Sequence, residues 1–193
     1  MPDKKTIDEL KAAHGTIYGK KIDGVEFVFR ECTREELRTW VNNQGADRFA
    51  ANEVLACAAV VLPTGDELIS IFDGHAAFIE ELAGEILQNT GVVQGEPVRK
   101  IEHPDHGPCF TKTIEDRTYL FTLPRRTEMH RVSKKRETDL FKATELLCAA
   151  GAVHPAGEDL TALLEKRPGH IMSLGTAIQA EAAVGESDEA KKL

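Results

Sequence analysis

The chain has 193 residues, 41% of them hydrophobic and 29% charged, with a formal net charge of -8. Those proportions belong to soluble globular proteins, no run approaches the ~18 apolar residues that cross a bilayer, and the opening MPDKKTIDEL is no signal peptide, so a cytoplasmic protein with no membrane contact is expected. The acidic balance argues against a general nucleic-acid binder.

A first helix is expected over 6–14. His14-Gly15 closes it, since glycine supplies the left-handed stop and a histidine suits the negative helix end. TIYGKKIDGVEFVF then gives two short β runs around Asp23-Gly24, the strongest short-range hairpin signal. Tyr18, Phe27 and Phe29 read as the core-facing side chains of that hairpin. TREE, from Thr33 through Arg34 to Glu36, reads as a capping box that starts the next helix. A long helix is expected over 47–62, with Phe49, Val54, Cys57 and Val61 as apolar positions, the last three at three- and four-residue spacing, until Pro63 and Gly65 stop it. Two short helices follow near 66–73 and 75–89. TGVVQGEPV, over 90–98, has the glycines and proline of a linker.

The second half repeats the first. At an offset of 92, residues 14–92 lie over 106–184 with 21 identities in 79 positions, against about 5 expected from average usage. RFAANEVLACAAVVLPTG returns as LFKATELLCAAGAVHPAG, and His14, Gly15, Phe29, Arg34 and Glu36 return as His106, Gly107, Phe121, Arg126 and Glu128. The hairpin returns as CFTKTIEDRTYLF, with Phe110, Tyr119 and Phe121 as its core-facing aromatics. Asp116 stands where Gly24 stood and is expected to take the positive φ of the turn. Arg125 replaces Thr33, so the second capping box is incomplete and its helix is expected to start at Thr127 or after Pro124. Helices near 158–166 and 169–182 match the last two of the first half. The fold class is therefore α+β: a tandem duplication of one small domain, 1–95 and 96–193, each copy a β-hairpin followed by three or four helices, with a polar tail over 185–193. Residues 1–95 carry 9 basic and 16 acidic groups and residues 96–193 carry 15 and 16, which leaves the halves at -7 and -1.

Few residues carry chemistry. The recurring histidines His14 and His106 have no recurring nucleophile or carboxylate beside them, so chain reversal explains them better than acid–base work. EHPDHGPC places His103, Asp105, His106 and Cys109 within seven residues, types that suit zinc, but the spacing matches no standard finger and no second ligand cluster follows. Asp66-Glu67 and Glu158-Asp159 recur after Pro-x-Gly, where acids complement a helix start. No thiol of Cys32, Cys57, Cys109 and Cys148 recurs, which fits a reducing compartment without disulfides. Arg125, Arg126, Arg131, Lys134, Lys135 and Arg136 form a basic run that the first copy lacks. P-loop, G-x-G-x-x-G, G-x-S-x-G and H-E-x-x-H patterns are missing. No catalytic, cofactor-binding or metal-ligating residue is assigned, and no cofactor is expected.

The run LKAAHGTIYGKKIDGVEFVFRECTREEL resembles the start of tail assembly chaperones encoded in the structural operons of tailed phages. The features shared are a helix ending in His14-Gly15, an aromatic hairpin with Tyr18, Phe27 and Phe29, its Asp23-Gly24 turn, and Arg30-x-x-Thr33-Arg34-x-Glu36. The likeness covers about thirty residues well, and the second copy lacks counterparts of Gly24, Arg30 and Thr33. The resemblance implies a non-catalytic protein that binds tail or tape-measure components during assembly. A structural component of the tail or baseplate is the alternative, and a small hydrolase or metal-binding protein using 103–109 is a further one. The sequence leaves the oligomeric state open.

Overall fold

A computed structural model describes residues 4–93 and 97–184. The polar tail 185–193 lies outside the described residues, as does part of the expected linker over 90–98. The protein is α+β, with two small antiparallel sheets. It divides into two compact units, Met1–Thr90 and Gly91–Leu193.

The first unit opens with α1 (Lys4–His14), whose end is set by Gly15 at φ 78°, its amide bonded to the Lys11 carbonyl at 2.9 Å. Strands β1 (Ile17–Ile22) and β2 (Val25–Arg30) pair with Ile22 opposite Val25, which leaves Asp23 and Gly24 as a two-residue turn. Both turn residues have positive φ, 45° and 90°, the type I′ geometry that matches strand twist. Helix α2 (Arg34–Asn43) starts in the full capping box: the Glu36 carboxylate accepts the Thr33 amide at 2.7 Å, and the Thr33 hydroxyl accepts the Glu36 amide at 3.3 Å.

Helix α3 (Arg48–Ala59) is capped by the Asp47 side chain, which accepts the Ala50 amide at 3.0 Å. It ends three residues before the expected limit. Val60–Leu62 instead form β3, a third strand on the edge of β2. β-Branched residues suit an extended backbone, and the unpaired edge of β2 supplies the hydrogen bonds. The buried face of α3 also differs from the expected one. Ala51, Asn52, Leu55, Ala56 and Ala59 are buried, whereas Phe49 and Val54 are 43% and 57% exposed. Small residues win that face because α2 and α5 both pack against α3. Helices α4 (Gly65–Gly74) and α5 (Ala77–Asn89) complete the unit. Phe27, Phe29, Leu37, Leu55, Leu82 and Ile86 form the centre of its core.

The second unit holds β4 (Arg99–His103), β5 (Gly107–Ile114), β6 (Arg117–Phe121), α6 (Arg126–Arg136), α7 (Leu140–Gly151), β7 (Ala152–His154), α8 (Gly157–Lys166) and α9 (Gly169–Val184). From β5 onward the element order is that of the first unit from β1. Helices α3, α4 and strand β3 map onto α7, α8 and β7 residue for residue at the 92-residue offset, and α5 and α9 share their starts. The bonds Leu62–Pro63 and His154–Pro155 are both cis, and Asp139 caps α7 as Asp47 caps α3, accepting the Lys142 amide at 3.0 Å.

The units differ at their entry. In place of a helix the second has β4, an exposed edge strand paired to β5. Nothing in RKIEH points to a strand, because it does not alternate, and it pairs with β5 across five registered residues. Gly107, at φ 67°, therefore opens β5 after a hairpin loop rather than ending a helix. The β5–β6 turn also departs from expectation: Glu115, not Asp116, takes the positive φ, at 53°. Without a glycine at the second turn position only the first residue reverses hand. Helix α6 begins at Arg126, after Pro124 as one of the two expected starts and one residue before Thr127, because the Glu128 carboxylate accepts the Arg125 amide at 2.6 Å and performs half of the box. Tyr18 and Phe110 are half-buried, not core; each stacks on its cross-strand neighbour, Phe29 or Phe121, at a centroid distance of 5.6 Å.

Candidate interaction grooves and a buried polar network

Among the described residues the side chains assigned from sequence do not converge on one point. His14 and His106 are exposed, and Phe27, Phe29 and Phe121 are core. Arg126 is exposed at the first position of α6 and Arg34 half-buried at the first position of α2. The Tyr18 hydroxyl donates to Glu31 at 2.7 Å. Arg30 is the centre of the one cluster that the hairpin-and-helix motif does assemble. Its guanidinium meets both Glu36 oxygens, at 2.9 and 2.7 Å, and donates to the carbonyls of Glu31 and Ala58, each at 2.9 Å. Burial opposes the charge on Glu36, yet the bonds from Arg30 and from the Thr33 amide outweigh it and hold the carboxyl below its ordinary range. This cluster ties β2 to the start of α2 and the end of α3; it is a brace.

The loop 103–107 does not gather a metal set. Asp105 and His106 are exposed while Cys109 is wholly buried, and the His103 ring accepts the Asp105 amide at 3.2 Å. No group of three or more His, Cys, Asp or Glu among the described residues is arranged to hold an ion. Burial raises the thiols of Cys32 and Cys148, to about 11 and about 12, so neither is a ready nucleophile.

Two surface grooves do stand out, and they occupy matching places. Between α2 and α3 lies a cleft of about 320 Å³ lined by Trp40, Leu55, Ala58 and the exposed Val54, with Glu35 and Glu36 at one end. Trp40 is fixed by its indole N–H, which donates to the buried Asn52 at 2.8 Å. Between α6 and α7 lies a cleft of about 190 Å³ with Val132, Leu146, Ala149 and Ala150. It continues into a shallow depression of about 530 Å³ edged by Arg131, Lys134, Lys135 and Lys142. At the 92-residue offset Trp40, Val54 and Ala58 correspond to Val132, Leu146 and Ala150. One helix pair thus makes the same groove in each unit. Groove-lining positions carry no motif; only the amphipathic spacing of each helix hints at them, and the expected face of α3 was the wrong one.

A second feature belongs to the second unit alone. The His170 ring, wholly buried, lies 2.6 Å from the Tyr119 hydroxyl through Nδ1 and 3.2 Å from the Glu115 carboxylate through Nε2. A carboxylate only accepts, so Nε2–H donates to Glu115 and Nδ1 accepts from Tyr119. Burial pushes the histidine down, against the pull of Glu115, and pushes the tyrosine up. Gly91, at φ 94°, passes over the ring where a Cβ would come within 2.8 Å of it. In the first unit the matching residues are Phe27 and Phe78, edge to face at 5.9 Å and 84°; Tyr119 and His170 sit at 5.8 Å and 77°. The same ring geometry is apolar in one unit and hydrogen-bonded in the other. The exchange of Phe78 for His170 at the repeat offset is the sequence signal that could have exposed it.

Residues 111–191 match the model of a family described as a domain of unknown function, DUF6848. The match starts inside β5 and contains Glu115, Tyr119, His170 and the α6–α7 groove, but none of the first unit. Neither the curated proteins nor the solved structures gave a match to this chain. No helix of the described residues is long and apolar enough to cross a membrane.

Proposed function

We propose that the protein is a non-catalytic binding module of phage tail assembly, which holds apolar helical segments of tail or tape-measure components in the host cytoplasm. One observation carries the reading: the α2–α3 groove presents Val54, 57% exposed, beside Trp40 and Leu55, in a cleft of about 320 Å³. Grooves between two helices are a common seat for an amphipathic helix. The formal charge of -8 keeps a complex with an apolar segment in solution. The resemblance of residues 10–37 to tail assembly chaperones supports this class of partner.

The test is co-expression with the neighbouring tail-tube or tape-measure protein, measuring how much of that protein stays soluble. Soluble yield should rise with this chain and fall again with Val54→Asp, which puts a charge on the apolar surface and forfeits about 1.5 kcal/mol of burial. Unchanged solubility with and without the chain would overturn the proposal. Recovery of the chain at fixed stoichiometry in purified particles would replace the assembly role with a structural one.

A further inference from the structure

Because the two grooves are one structure made twice, differences at their matching positions show what each has been left free to bind. The apolar floor is kept: Val54 and Ala58 in the first unit, Leu146 and Ala150 in the second. The rim is not. Thr39, Asn42, Asn43 and Ala50 become Arg131, Lys134, Lys135 and Lys142, a gain of four positive charges, while the acid Glu36/Glu128 is unchanged. Arg131, Lys134 and Lys142 are exposed and Lys135 is half-buried. Lys142 is engaged by Glu145 at 2.8 Å, and Glu145 has its own equivalent in Glu53, so the acid did not arrive to neutralise the new rim.

We infer that the α6–α7 groove is a docking site for an acidic amphipathic helix of a protein partner. The apolar stripe of such a helix lies on Leu146, Ala149 and Ala150, and its carboxylates face Arg131, Lys134 and Lys135. Charge complementarity selects this occupant over a basic or neutral helix, which the first unit's groove, with Glu35 and Glu36 and no lysine, suits better. The eleven residues of α6 give a groove about 16 Å long, or three helical turns of partner. Single-stranded nucleic acid is a poorer fit, since the basic rim encloses an aliphatic floor with no aromatic ring for base stacking.

This inference rests on the protein-binding reading above, and the experiment separates the two. The full chain is titrated into a fluorescein-labelled helix of about 15 residues, with leucines along one face and glutamates elsewhere. Its twin with lysine for glutamate, a labelled oligouridylate and anionic phosphatidylserine vesicles are run in parallel. The glutamate helix should bind at least about tenfold tighter than the lysine twin and weaken several-fold as salt rises from about 0.05 to about 0.3 M. Lys134→Glu/Lys135→Glu should lose at least about tenfold, Lys134→Gln/Lys135→Gln less, and Asn42→Glu/Asn43→Glu nothing, each with unchanged circular dichroism. Equal affinity for the two helices, no binding, equal loss in the Asn42/Asn43 variant, or tighter binding of oligouridylate or vesicles would each overturn the inference. If the partner's solubility still depends on Val54 in those cases, only the acidic-helix inference falls.

Discussion

Converting the polar ring pair of the second unit into the apolar pair of the first is a direct test of how these two side chains are held. Tyr119→Phe removes the hydroxyl 2.6 Å from a ring nitrogen that has no access to water. A buried acceptor left without its donor costs about 1–3 kcal/mol. His170→Phe strands the Tyr119 hydroxyl instead, on a residue 1% exposed, at a similar cost of about 1–3 kcal/mol. Glu115 adds little, because its side chain is 30% exposed and Arg167 remains 3.9 Å away. The double variant leaves neither group stranded and reproduces the contact of Phe27 with Phe78. It should therefore be more stable than the sum of the singles by at least about 2 kcal/mol. In a domain of this size each kcal/mol moves the melting temperature by about 4–8 °C. Urea unfolding followed by far-UV circular dichroism measures the cycle, while fluorescence of Trp40, the single tryptophan, reports the first unit and should not move. Additivity within about 0.5 kcal/mol would refute the reasoning, since it would mean that the two polar groups do not satisfy each other.

The same network gives the second unit a pH dependence. Burial holds His170 neutral in the fold, below its ordinary value of 6.5, so below that value the unfolded chain takes up a proton that the folded chain refuses. Stability should be full above about pH 6.5, fall as pH drops through the window beneath it, and lose that limb in the double variant, as melting temperature against pH would show. Gly175→Ala should destabilise the second unit by about 1–3 kcal/mol, because the added methyl meets the Thr144 Cγ2 across the α7–α9 contact. Thr144→Ser, which deletes that methyl, should restore most of the loss, and a failure to do so in denaturation curves would place the strain elsewhere. Arg30→Met should cost the first unit about 1–2 kcal/mol, read by Trp40 fluorescence, since it removes the charged partner of the half-buried Glu36 carboxylate and leaves it only the Thr33 amide.

Much of the fold was legible in short windows of sequence. Asp23-Gly24, the Thr33–Glu36 box and Pro63 with Gly65, the last of which returns as Pro155 with Gly157, are local signals, and local backbone chemistry is enough to act on them. Where the expectation failed at the end and the buried face of α3, neighbours from far along the chain decided the outcome. Val60–Leu62 continue the apolar pattern of α3, yet the free edge of β2 draws them into a sheet. Phe49 and Phe141 are identical and equivalent, but one is 43% exposed and the other 1%.

The candidate sites lie almost wholly on the tertiary side. The repeat itself is written in the residues, because an amphipathic period and a cap need only their own ten or twelve positions. Which face of α3 is buried, which rim the α6–α7 groove acquires, and that Tyr119 finds His170 fifty-one residues away depend on surfaces brought together by folding. Burial and hydrogen-bond satisfaction are properties of the assembled neighbourhood, and a residue type alone does not carry them.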